Sequence, residues 1–313
     1  MQDVGRDLTV PDVYEDNNTN LCNLLLNSDD DDDDDDNPPN LRDSLYYTET
    51  DFADCIIAEN IRNENNLTII TLNVANLLSK LRFFKLFISN ITTSSNKPDV
   101  INVVETHITE ATNAGYTPGE LKNILPGYTF FHKGRVTKKG GGVGIFVSNT
   151  ISSEVETVEL VGFQEEYFEN LVVKIPNAFK SHKKDQDKNL IIATIYRQPN
   201  STNLDIFAEQ LEKLLKQIDK KKNEIVITGD MNLDLLKYDS HPATGNYLDL
   251  LSQYKLLPRI VRPTRIKKQS ATLIDHFFTR DNENTLRSGI INTEIAGNCG
   301  YTDHFPIFLI LKA

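Results

Sequence analysis

Eight short apolar runs constrain most strongly what this chain can fold into. Leu67–Leu72, Val100–Val104, Val143–Val147, Leu171–Ile175, Leu190–Tyr196, Ile225–Thr228, Leu273–Phe278 and Ile307–Leu311 are short, apolar and bounded by turn residues, so each reads as a strand. Several follow one another with no helical pattern between them. That argues against a simple doubly wound parallel sheet, which needs a crossover helix between strands. It predicts an α/β (α+β) architecture of packed mixed or antiparallel sheets with helices outside. Asn203–Lys220 reads as a helix, because Leu204, Phe207, Leu211, Leu214 and Ile218 fall on one face. Thr202 with Asp205 gives it a capping-box-like start. Further helices are expected over Leu77–Asn90 and Tyr247–Tyr254.

This texture begins at Leu67. Residues 1–43 hold Asn-rich stretches, an unbroken aspartate run from Asp29 to Asp36, then Asn37-Pro38-Pro39. Adjacent carboxylates repel one another and bury nothing, so this tail is expected to be disordered. It reads as a solvated spacer, or as a segment that folds back on basic loops and competes with an anionic substrate. Residues 44–66 are transitional: Tyr46, Tyr47, Phe52, Ile56 and Ile57 can pack onto the domain or sit in a weakly ordered arm. Residues 67–313 form the expected domain. The net charge of −12 conceals this division. Residues 1–66 carry 19 acidic and 3 basic residues, a net of −16, whereas 67–313 carry 26 and 30, a net of +4. The folded part is mildly basic, and local charge decides encounter with nucleic acid.

No apolar run reaches about 18 residues, and the N-terminus has no secretory pattern. An intracellular protein, nuclear or cytoplasmic and without membrane contact, is expected. Cys22, Cys55 and Cys299 are scattered and read as reduced thiols.

Chemistry is sought where strands end, since side chains from distant segments converge there. Five places qualify: Asn73 after the first run, Glu105 after the second, Asp230 with Asn232 in IVITGDMNLD, Asp275 in TLIDHFF, and Asp303-His304 before the last strand. Each alone reads as a turn, a solvated carboxylate or a structural histidine. Together they supply what phosphodiester hydrolysis requires: oxygen ligands for a cation, a proton acceptor, and donors for the nonbridging oxygens.

The series N…ET…YRQPN…GDMN…LIDH…TDH resembles the exonuclease III/DNase I-like endonuclease/exonuclease/phosphatase superfamily. The strings NVANLLSK, PDVINVVETH, LPGYTFFHKGR, KKGGGVGIFV and PTRIKKQSATLIDHFF resemble the LINE-type non-LTR retrotransposon endonucleases within it. The resemblance covers Leu67 to the C-terminus. It implies a four-layer sandwich, with two central mixed β-sheets flanked by helices. It also implies a divalent-metal-dependent DNA endonuclease that nicks one strand to leave a 3′-hydroxyl and a 5′-phosphate. By the same resemblance Glu105, with Asn73 and Asp303, serves the metal, Mg2+ or alternatively Mn2+. Asp230 orients and deprotonates water, Asn232 positions water or phosphate from the same extended face, and His304 donates to a nonbridging oxygen. Asp275 orients His304, while Tyr196 and Thr264 match phosphate-contacting positions.

Arg197, Arg265, Lys138 and Lys139 are expected to contact DNA, as are Lys133, Arg135, Arg259, Arg262, Lys267 and Lys268 in the same basic loops. The GGGVG string lacks a G-K-[ST] ending and a following helix, so it reads as a tight turn into a strand. His107 stands where an aromatic residue usually follows Glu-Thr, Arg197-Gln198 replaces a smaller pair, and Thr302 replaces a common Ser. DNA is the expected partner, with no obligate protein partner. No reverse transcriptase follows His304, which suggests a free-standing, truncated or domesticated endonuclease. The rival readings are a phosphoesterase of the same fold acting on lipid or inositol phosphates, and a non-catalytic module descended from a nuclease. The first predicts apolar loops near the cleft, the second a lost catalytic residue.

Overall fold

The computed structural model describes residues 45–62, 66–93, 96–109, 117–134, 140–162, 167–180, 187–199, 203–267, 270–280, 284–293 and 301–313. The chain divides between Asp43 and Ser44. The tail with its aspartate run lies outside the described residues, as do Thr202, Arg135, Lys138, Lys139, Lys268, Cys22 and Cys299.

Two large sheets form the second unit. The first runs in the order β1 (Leu45–Thr48), β14 (Thr285–Asn292), β15 (Ile307–Lys312), β2 (Asn66–Asn73), β3 (Val100–Val104), β5 (Val143–Ser148) and β4 (Tyr128–Lys133). The second runs β10 (Leu256–Pro258), β13 (Asp275–Arg280), β9 (Asn223–Asp230), β8 (Lys188–Tyr196), β7 (Glu169–Phe179) and β6 (Glu156–Thr157). A hairpin of β11 (Arg265–Lys267) and β12 (Ser270–Thr272) stands apart. Both sheets are mixed: β1–β14, β2–β3 and β8–β9 are parallel, and the other pairs antiparallel. All eight expected strands are present. They were visible because strands covered on both faces are apolar throughout rather than alternating, and β3, β5 and β9 are buried at every position.

The inner faces meet through β2, β3 and β5 against β9, β8 and β7. The seam is partly polar. The Thr71 and Thr228 hydroxyls lie 2.7 Å apart, Asn102 Nδ2 donates to Ile70 O and Thr71 Oγ1, and Thr194 Oγ1 donates to Asn102 Oδ1 at 2.9 Å. These groups satisfy one another in the interior, where an unpaired polar group costs about 1–3 kcal/mol.

Helices complete four layers. On the first sheet lie α1 (Glu49–Arg62), α2 (Leu81–Asn90) and α3 (Pro118–Lys122), whose Phe52, Ile56, Phe84, Phe87, Ile88 and Leu121 join the cluster over Phe146 and Phe308. On the second lie α4 (Leu204–Ile218) and α5 (Pro242–Gln253). Here Phe207 meets Phe168 and Tyr247, and Tyr247 meets Phe278. The cap of α4 is Asn203, whose side chain accepts from Ile206 N at 3.1 Å, and not the expected Thr202. Segment 44–66, for which the sequence left two alternatives, contributes β1 and α1, with Phe52 packed at a tilt against Phe308. Among the described residues, no helix is long and apolar enough to cross a membrane.

Candidate active site

Five strand ends meet along one edge of the two sheets. Asn73 closes β2 and Glu105 follows β3, both on the first sheet. Tyr196 closes β8, Asp230 closes β9 and Asp275 opens β13, all on the second. The register brings Tyr196 and Asp275 to either side of Asp230.

Asn73 joins the sheets. Its Nδ2 donates to Glu105 Oε1 at 3.1 Å and to Asp230 Oδ2 at 3.0 Å, and its Oδ1 accepts from Ala75 N at 3.0 Å. The amide is buried and fully engaged, so it fixes the separation of two carboxylates. Glu105 has a φ of +56°, a backbone state that only a strongly determined site imposes on a non-glycine residue. Burial would raise its carboxyl. The nearby His107 imidazole, hydrogen bonds from Asn73 and Tyr196, and the charge of His304 hold it instead at about 2. Tyr196 is raised above its ordinary value by burial and by Glu105, so it remains a phenol and a donor.

Asp230 is buried. Burial, then the charge of Asp275, push its carboxyl up to about 7, against His304, the Asn232 amide and Asn73. Asn232 N donates to Asp230 Oδ1 at 2.9 Å. The expected extended face at Asn232 is corrected by the structure: its φ is +48°, and its side chain donates to Arg197 O at 2.7 Å. Gly229 lies within the strand. A Cβ there would sit 1.8 Å from Ile195 O, and its φ is +131°. Only glycine lets β9 run this close to β8 and deliver Asp230 to the edge.

His304 Nδ1 lies 2.8 and 3.1 Å from the two Asp275 oxygens and 4.0 Å from Asp230 Oδ2. Burial would lower the imidazole. The charge and hydrogen bond of Asp275, then Asp230 and Asp303, raise it to about 9. Thr264 fixes Asp275 in turn: its hydroxyl donates to Asp275 Oδ2 at 2.7 Å, and Asp275 N donates back to it at 3.0 Å.

Other expected site residues have different surroundings. Arg197 is buried, its guanidinium donating to Met231 O and Asn232 O at 2.6 and 2.7 Å, so it holds the GDMN loop from behind. Arg259 is also buried, bound to Thr279 Oγ1 and Arg280 O. Asp303 binds Arg265 Nε at 2.5 Å and Lys267 Nζ at 2.7 Å, which outweigh burial and hold its carboxyl at about 2. Its Oδ1 is 4.0 Å from His304 Nε2. Sequence reasoning missed Glu169, whose carboxylate receives the Gly142 amide. It also missed the approach of His107 Nε2 to 3.8 Å from Glu105 Oε2. Neither could be read from the string, because each depends on the glycine turn folding back on the loop after β3.

Asp230, Asp275 and Asp303 gather about His304, and Glu105 lies beside His107. An oxygen-rich set with excess negative charge fits a hard divalent cation. Asp230, Asp275 and His304 have ligand atoms within 4.8 Å of one another and can hold a metal ion. Within that group His304 Nδ1 already serves Asp275.

The sequence profile described as Endonuclease/Exonuclease/phosphatase family matches residues 70–304. No curated protein matches the sequence. Among solved structures, the fold is similar to an AP endonuclease from Leishmania major, at TM-score 0.60 and 14% identity, covering 90% of this chain and 97% of that one. It is similar to the 3′ phosphatase NExo from Neisseria bound to product DNA hairpin, at TM-score 0.55 and 13% identity, covering 78% and 98%. It is also similar to the endonuclease domain of TRAS1, a telomere-specific non-LTR retrotransposon, at TM-score 0.51 and 11% identity, covering 79% and 98%.

Proposed function

This chain belongs to the endonuclease/exonuclease/phosphatase family, whose members hydrolyse phosphoesters, and on that premise we propose that it is a divalent-metal-dependent DNA endonuclease that nicks one strand to leave a 3′-hydroxyl and a 5′-phosphate. The observation that carries the reading is the linked set Glu105–Asn73–Asp230–His304–Asp275, in which a buried carboxyl and a buried imidazole lie 4.0 Å apart.

Asp230 accepts the proton of the attacking water. Asn73 and the Asn232 amide aim its two oxygens, and burial with the charge of Asp275 raises its carboxyl, making it a stronger base than an ordinary aspartate. His304 stays protonated at neutral pH. With Nδ1 given to Asp275, it turns Nε2 to a nonbridging phosphate oxygen, where charge accumulates as the bond breaks. Asp275 and Thr264 fix the ring's orientation, and Tyr196 presents a phenolic proton beside Glu105. Glu105, positioned by Asn73, would hold Mg2+ or Mn2+, which when bound would neutralise phosphate charge and acidify water. Arg197 acts as a positioning residue for the GDMN loop.

DNA as substrate is supported by the net charge of +4 over residues 67–313 and by the basic hairpin beside His304. A retrotransposon origin is supported by the strings quoted above and by the fold of the TRAS1 domain. The test is nicking of supercoiled plasmid with Mg2+, comparing wild type with Asp230→Ala and His304→Ala. Both substitutions are expected to lower the rate by at least about 100-fold. Equal rates in the variants would remove the assignment.

A further inference from the structure

The loop after β3 carries a feature that the catalytic set does not use. Glu105 and His107 have φ values of +56° and +55°, two left-handed non-glycine residues separated by one position. The strain is maintained by backbone bonds on both sides: Asn76 N to Glu105 O, Thr106 N to Gly142 O, and His107 N to Gly141 O at 2.7 Å. The result is a pincer. Glu105 Oε1 is taken by Asn73, while Oε2 faces His107 Nε2 at 3.8 Å. The imidazole rests over Gly140, where an added Cβ would lie 3.8 Å from Nε2. At Gly142 an added Cβ would meet Thr106 Oγ1 at 2.3 Å, so the turn that supports the pincer admits no side chain there.

We propose that His107 is a nitrogen ligand for the divalent cation held by Glu105, and that it shifts the preference of this site from Mg2+ toward Mn2+ and its borderline neighbours. The geometry fits. Two donors at about 2.0–2.2 Å from one six-coordinate cation lie about 3 Å apart when adjacent and about 4.2 Å apart when opposite. A closure of about 0.8 Å brings the 3.8 Å separation to the adjacent value, a small movement for two partly exposed side chains. The chemistry fits as well, because carboxylate oxygen alone suits Mg2+, whereas an added imidazole favours later divalent ions of the first transition row. The side chains are also accessible, at 33% and 24% of their full exposure, which leaves a way in for the ion.

The inference rests on the cation reading of the proposed function, and the experiment separates the two. The full chain is loaded with Mn2+, and 14N couplings to the bound ion are read by electron spin echo modulation. Mn2+ and Mg2+ affinities are measured by calorimetry without DNA. The aspartate run offers only carboxylate side chains, so an imidazole 14N signal cannot come from it. In wild type an imidazole coupling is expected, and His107→Phe is expected to remove it. The same substitution should weaken Mn2+ binding by about 10-fold while changing Mg2+ binding by less than about 2-fold. A nitrogen signal of undiminished intensity in His107→Phe, or equal losses for both ions, overturns the inference. Glu105→Gln is the control. If it leaves both affinities intact, the cation reading itself fails. If it abolishes binding while His107→Phe changes nothing, only the role of His107 fails.

Discussion

Protonation at single residues sets the first expectations. Asp275 supplies the largest effect raising His304, through its charge and its hydrogen bond. His304 is a cation below about 9, so activity that needs it is present at neutral pH and is lost as pH rises through that value. Asp275→Asn should move this alkaline limb of kcat/KM to lower pH and lower the plateau, as read from a pH–rate profile. Asp99 is a separate case, away from the site. Burial raises its carboxyl to about 6, outweighing the hydrogen bond from Thr68 N and the charge of Lys97. The native state then binds this proton more tightly than the unfolded chain. The group's contribution to stability therefore falls as pH rises from about 4 through about 6. Asp99→Asn should remove up to about 3 kcal/mol of that penalty at pH 7.5 and little of it at pH 4.5. Urea midpoints at the two pH values check it, and a parallel pH dependence in wild type and variant would contradict it.

Elements differ in how much of themselves they showed in the sequence. β3, β5, β9 and β15 were legible because a strand buried on both faces is a largely apolar run without alternation. β14 was not, because Arg287, Ser288 and Gly289 break its pattern, although Gly289 lies beneath the rings of Tyr47 and Phe308. α1 was hidden by its acidic and amide residues, yet Phe52, Cys55, Ile56 and Glu59 are buried. The site shows the same division. Carboxylates at strand ends could be read along the chain, but Arg197 behind GDMN, Asp303 between Arg265 and Lys267, and Glu169 on Gly142 depend on segments brought together only by the fold. At this scale the sharpest expectation concerns Gly229. Gly229→Ala must separate β8 from β9 or rotate the peptide, at a cost of about 3 kcal/mol or more. Its melting temperature should fall well below that of wild type. Any soluble fraction should nick DNA poorly, because Asp230 is the next residue.

Across the whole molecule, the chemistry sits on no single layer. Glu105 and Asn73 belong to one sheet, and Tyr196, Asp230 and Asp275 to the other. Their mutual placement thus depends on the polar seam far below the rim. Asn102→Ala touches none of them, but it leaves Ile70 O, Thr71 Oγ1 and Thr194 Oγ1 without their shared partner. It should cost about 2–3 kcal/mol, measured by chemical unfolding, and slow nicking in the surviving folded fraction. The Asn73 amide, with one hydrogen on each side of the interface, has a further consequence. An ion held at Glu105, as proposed above, would act as a clasp on the folded arrangement in which that amide spans the two sheets. Saturating it at about 100 times its Kd should add about 3 kcal/mol to the folded state, and a chelator should spring the clasp and bring the melting point down.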